Sequence, residues 1–66
     1  MKLTINGESR EFETSLTLRG LLQELDLEGK PVVVELNREA LAPSEFEKRG
    51  LAEGDQLEII TIAAGG

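Results

Sequence analysis

The chain has 66 residues, seven of them basic and thirteen acidic, for a formal net charge of −6. This length holds one domain, and the absence of cysteine and histidine removes disulfides, zinc-thiolate sites, thiol nucleophiles and Ser/His or Cys/His catalysis. An acidic surface repels phosphate backbones and anionic lipid, so neither nucleic acid nor membrane is expected as a partner; a protein with a basic face suits it, and plain solubility is the simpler use of the charge.

No stretch approaches the ~20 apolar residues that cross a bilayer. Met1-Lys2-Leu3-Thr4 reads as a strand and not as a signal peptide, which makes a cytoplasmic location the expectation. Leu3 and Ile5 alternate with Lys2, Thr4 and Asn6, the period of a half-buried strand. Asn6-Gly7 is a strong hairpin signal, because both residues tolerate positive φ. A second strand is expected over residues 8–13, with Phe12 as its inward residue.

Thr17 is placed to cap a helix whose apolar positions are Leu18, Leu21, Leu22 and Leu25. That i, i+3, i+4, i+7 spacing makes one apolar stripe. Gly20 lowers helix propensity by about 1 kcal/mol relative to alanine, which suggests a packing reason such as close approach of helix and sheet. Gly29 and Pro31 are expected to stop the helix and launch the next strand. Val32-Val33-Val34-Glu35-Leu36 is β-branched and mostly apolar, as in a strand near the middle of a sheet. Asn37 opens a turn, Leu41-Ala42 reads as a short edge segment ended by Pro43, and Ser44 with Glu47 fits a capping box before a helical turn carrying Phe46. Glu53-Gly54-Asp55 reads as a turn and residues 56–62 as the last strand.

The order is strand, strand, helix, strand, short strand, strand. It predicts an α+β chain with a mixed four- to five-stranded sheet and one main helix across one face, the ubiquitin-like β-grasp arrangement. Residues 1–62 are expected to form the domain and residues 63–66 a flexible Gly-Gly tail. In the last strand Leu57 and Ile59 share one face while Glu58, Ile60 and Ile62 share the other. With the helix over Leu57 and Ile59, the pair Ile60 and Ile62 is left on the open face, joined there by Val33. Exposed contiguous apolar surface marks a contact site, so these three are candidate partner-binding residues. Lys48-Arg49-Gly50 reads as a solvated turn and Asp55 as a turn residue; no metal site is assigned. The glycines are scattered and no Gly-Lys-Ser/Thr is present, so no phosphate-cradling loop and no bound cofactor are expected.

After Ile62 the sequence runs Ala63-Ala64-Gly65-Gly66. Two residues without β-carbons fit a narrow channel, and four extended residues span roughly 13 Å, enough to bring a carboxylate into a partner's active site. The segment from Val32 to Gly66 resembles the C-terminal half of the ThiS family, the sulfur carriers of thiamine biosynthesis. The resemblance rests on the strand ending in Asn37, the Ala42-Pro43 step, the aromatic Phe46, Leu51, Gly54-Asp55, the Leu57-Glu58-Ile59-Ile60 strand and Gly65-Gly66. The Asn6-Gly7 hairpin and the leucine-striped helix extend it over the whole chain. Two departures, Ser44 where a basic residue is frequent and Phe46 near a frequent tryptophan or histidine, touch the partner surface.

The resemblance implies a chemistry for the tail. A terminal carboxyl is an anion at neutral pH and a poor electrophile. In ThiS-like systems a ThiF-like E1 adenylyltransferase uses ATP and Mg²⁺ to adenylate the carboxylate, here that of Gly66. A persulfide supplied through a cysteine desulfurase then displaces AMP, and the resulting thiocarboxylate feeds a ThiG-like thiazole synthase. Gly65 and Gly66 become the reacting end, and Ala63, Ala64 and Phe46 join Val33, Ile60 and Ile62 as partner-binding candidates. The chain itself is then a co-substrate and not an enzyme. Alternatives are the small subunit of molybdopterin synthase, a ubiquitin-related modifier serving tRNA thiolation, and, in a different class, a non-catalytic β-grasp interaction module.

Overall fold

Asn6 and Gly7 take positive φ, 51° and 84°, the conformation a two-residue hairpin turn demands. They join β1 (Lys2–Ile5) to β2 (Glu8–Glu11) in an antiparallel ladder running from Lys2↔Glu11 to Ile5↔Glu8. The computed structural model describes residues 1–13 and 15–62, so the expected tail, residues 63–66, lies outside the described residues. Strand β2 is shorter than expected. All four of its residues are exposed, and Phe12 follows it, half-buried against the core. The Phe12 N–H donates to the carbonyl of Met1 at 2.8 Å, closing the hairpin one step past the last ladder pair.

Helix α1 (Leu18–Glu24) begins where expected: Thr17 has extended backbone and its hydroxyl accepts from the Gly20 N–H at 3.1 Å. Leu18, Leu21 and Leu22 are buried, each such burial contributing about 1.5–3 kcal/mol. The helix stops earlier than Gly29 and Pro31. Asp26 adopts φ 64°, the Leu27 N–H donates to Leu22 O at 2.8 Å, and the Asp26 N–H donates to Gln23 O at 3.0 Å. These two bonds form a Schellman motif, with Asp26 in the left-handed position that glycine usually fills. Gly20 does not mediate helix–sheet approach. A β-carbon there would meet the side chains of Leu16 and Thr17, at 3.4 and 3.5 Å, in ordinary contact.

Strands β3 (Val32–Leu36) and β4 (Glu39–Leu41) pair antiparallel through a two-residue turn, Asn37-Arg38, with φ 49° and 72°. The expected capping box at Ser44 and Glu47 is displaced by two residues. A 3₁₀ turn covers Pro43–Glu45, and the Glu45 carboxylate accepts from the Ala42 N–H at 3.1 Å. Proline at the first turn position fixes φ there and sets the frame; alanine at the cap offers no side-chain acceptor in return. The last turn, residues 52–55, has Gly54 at φ 86°, and the Asp55 carboxylate accepts from the Ala52 N–H at 2.7 Å. Strand β5 (Gln56–Thr61) ends one residue before Ile62, whose N–H still donates to Pro31 O at 3.0 Å.

The five strands lie in the order β2-β1-β5-β3-β4. Strand β5 runs parallel to β1 and antiparallel to β3, so the last strand occupies the centre. Its Leu57 and Ile59 join Leu3, Ile5, Val34, Leu36 and the helix leucines in one core. This is the mixed five-stranded sheet with one helix that the element order predicted.

Two asparagine side chains clasp β5. Asn6 Nδ2 donates to Ile59 O at 3.0 Å and Asn6 Oδ1 accepts from Ile59 N at 2.8 Å. On the other side Asn37 Oδ1 accepts from Gln56 N at 2.9 Å, and Asn37 Nδ2 donates to Asp55 Oδ1 at 3.0 Å. Asn6→Ala leaves the part-buried Ile59 amide and carbonyl unpaired and puts alanine at positive φ. A loss of about 2–3 kcal/mol is expected, read as a lower urea midpoint at unchanged m-value. Asp26→Gly relieves the left-handed backbone and removes an anion from the helix C-terminus, and is expected to stabilise by about 1 kcal/mol in the same assay.

Candidate functional site

The register of β3 and β5 fixes which candidates meet. Val33 lies directly opposite Ile60 across the two strands, and Glu35 directly opposite Glu58, while the intervening pairs Val34↔Ile59 and Leu36↔Leu57 turn into the core. Val33 and Ile60 are 44% and 61% exposed, so the sheet face away from the helix presents an apolar pair at its centre. As expected, the helix covers Leu57 and Ile59 and leaves Ile60 open.

Ile62, 51% exposed, occupies a different setting. Just past β5, it lines a groove of about 600 Å³ together with Leu22, Leu27, Pro31, Val32 and Phe46. Phe46 is half-buried and packs against the core. The candidate residues therefore fall into two groups: Val33 with Ile60 on the open face, and Ile62 with Phe46 at the groove beside the point where the chain leaves the sheet. Ala63, Ala64, Gly65 and Gly66 lie outside the described residues.

The charged lining of the groove is Arg19, Glu28 and Lys30. Arg19 is engaged by Glu47 at 2.8 Å and by Glu28 at 3.3 Å, and Gln23 Nε2 also donates to Glu28 at 2.8 Å. These are exposed pairs of small energetic weight that orient the guanidinium. In the Lys48-Arg49-Gly50 segment, Arg49 pairs with Glu39 at 2.8 Å, and its carbonyl accepts from the Leu18 N–H at 2.9 Å. That segment is committed to holding the helix start. Asp55 accepts from Ala52 and Asn37, a turn role. Among the described residues no group of three or more acidic side chains is arranged to hold a metal ion, and no helix is long and apolar enough to cross a membrane.

Reasoning from the sequence missed the Glu35–Glu58 juxtaposition and the groove. The signal for the first was present, since each glutamate interrupts an apolar run within its strand, but the register that sets them opposite is not written in either segment. The groove depends on where Phe46 lands, which the displaced cap at Ala42 decides.

Among the described residues, the geometry offers an exposed apolar pair, a groove and the end of the central strand. The ThiS family model matches residues 3–66. The sulfur carrier protein ThiS of Thermus thermophilus is 40% identical over 62 residues, covering 94% of this chain and 95% of its own length. A thiazole synthase of Paramagnetospirillum magneticum is 42% identical over all 66 residues, and the chain spans a fifth (20%) of that protein's length. The crystal structure of the thiamine biosynthesis protein (ThiS) from Geobacter metallireducens superposes with a TM-score of 0.85 at 33% identity, covering 100% of both chains. With a match over nearly its whole length in sequence and in fold, the chain belongs to the ThiS family.

Proposed function

We propose that this protein is a sulfur carrier of thiamine biosynthesis and that the carboxylate of Gly66 is the group that carries the sulfur. The observation that supports this most is the family match reaching residue 66, because it takes in Gly65-Gly66, which follow closely on the central strand in sequence. In this reading the carboxylate oxygen attacks the α-phosphorus of ATP on an E1-like partner and pyrophosphate leaves. The terminal sulfur of a persulfide then attacks the acyl carbon and AMP departs. A thiol cleaves the remaining S–S bond, is itself oxidised to a disulfide, and leaves a thiocarboxylate. None of these steps calls for a side chain of the carrier, in keeping with a chain that lacks cysteine and histidine.

The thiazole synthase is the partner expected to receive the sulfur. A relative of that name carries a segment similar to this whole chain within its own length. Val33 and Ile60 on the open face, Ile62 and Phe46 at the groove, and Ala63 and Ala64 in the connecting segment are the contacts assigned to partners. ATP and Mg²⁺ belong to the activating enzyme, and the sulfur to a cysteine desulfurase.

Incubation with a ThiF-like enzyme, ATP, Mg²⁺ and a persulfide source is expected to replace one oxygen of the intact protein by sulfur, located at Gly66 by fragment mass spectrometry. Deleting Gly65-Gly66 removes the product and leaves the fold in place. An unchanged mass beside an activating enzyme shown to be competent on another carrier sinks the proposal. Ile60→Asp tests the face. With Ile60 61% exposed, the substitution is expected to cost no more than about 1 kcal/mol of stability while weakening partner binding, measured by titration calorimetry alongside thermal melts.

A further inference from the structure

We infer that Glu35 and Glu58 form a socket for a basic side chain of the thiazole synthase, beside an apolar contact made by Val33 and Ile60. This rests on the carrier reading and adds to it a charge-based determinant of partner choice. The two glutamates are Cα partners in the β3–β5 ladder, both exposed, on the face away from the helix. Like charges directly opposite each other in a sheet destabilise it. The β1–β2 ladder shows the opposite choice on the same face, with Lys2 opposite Glu11.

Among the described residues no salt bridge reaches either glutamate. The ion pairs formed among the described residues are those of Arg19 with Glu28 and Glu47 and of Arg49 with Glu39. Arg38 borders the same depression as Glu35 and Glu58 without pairing to either. Two residues further along each strand, on the same face, comes the exposed Val33–Ile60 pair. The surface thus has two carboxylates side by side against an apolar patch, on a chain of net charge −6. Its complement is a guanidinium or ammonium next to an apolar side chain. A planar guanidinium can donate to both carboxylates at once, and the repulsion expected in the free carrier then favours the complex.

The test compares wild type, Glu35→Gln/Glu58→Gln and a control double variant, Glu8→Gln/Glu24→Gln, which loses the same charge away from the open face. Binding to purified thiazole synthase is titrated at several salt concentrations, with thermal melts of the free carriers. The socket predicts that Glu35→Gln/Glu58→Gln binds at least about fivefold more weakly at low salt, with a flattened salt dependence. The same variant should melt about 2–6 °C higher than wild type, and the control should bind as wild type. Unchanged affinity and salt slope for Glu35→Gln/Glu58→Gln, with wild type binding normally, overturns the socket and leaves the carrier reading standing. Wild type failing to bind the synthase overturns both. Sedimentation showing a carrier dimer disrupted by Ile60→Asp gives the face to a second copy and also overturns the inference.

Discussion

The insertion of β5 between β1 and β3 is the constraint on which the rest of this small domain depends. Until Gln56–Thr61 is in place, the N-terminal hairpin and the β3–β4 hairpin share no ladder. Once it enters, Leu57 and Ile59 complete the core, and both neighbours gain their backbone partners. Asn6 and Asn37 make that insertion specific. Each sits at positive φ in a turn, and each uses its amide as a surrogate peptide group against β5, Asn6 across 53 positions of sequence. A turn residue chosen for backbone conformation thereby also carries a long-range contact. An unpaired Ile59 amide and carbonyl would cost full desolvation, so the clasp discriminates against slipped registers that would turn every side chain of β5 to the wrong face.

That centrality bears on function because the reacting end is proposed to follow directly from the same strand. A strand held by ladders on both edges is a rigid mount, and Ile62 remains tied to Pro31 by its N–H one step beyond the strand. The last described residue is therefore held in a fixed place at the end of the central strand. The exposed apolar pair Val33–Ile60 sits on the same mount.

Much of this was legible in the residues for identifiable reasons. Periodicity located both core faces, because Leu3, Ile5, Leu57 and Ile59 obey a period of two and Leu18, Leu21 and Leu22 one of 3.6. Asn6-Gly7 announced its hairpin, because few residue pairs tolerate that turn. The misplacements share a different cause. Asp26 ends the helix although aspartate is not favoured there, since hydrogen bonds from Leu27 and Asp26 close the Schellman motif and Leu27 packs against the core; tertiary burial overrides local preference. The 3₁₀ cap forms at Ala42 because Pro43 sets the turn and Glu45 reaches back, whereas a pattern search favours the serine. Strand register, and with it the meeting of Glu35 with Glu58, depends on pairing between segments distant in sequence.

Sixty-six residues without a disulfide leave a narrow margin of stability, and against that margin a like-charge pair at the centre of the sheet is a conspicuous choice. Packing does not require it. Val33 and Ile60, two residues away on each strand, are exposed and still apolar, so the open face tolerates side chains of either kind. Solubility does not require it either, because eleven further acidic residues lie elsewhere on the chain, thirteen in all less these two. What the pair accomplishes that scattered charge cannot is to concentrate negative potential at one spot on a rigid surface beside an apolar contact. On the proposed reading, a carrier that leaves one enzyme and is accepted by another needs an interface that is selective without being permanent. Partly exposed charge at its margin supplies attraction and orientation at modest affinity, which matches the demands of a shuttle better than a larger apolar face would.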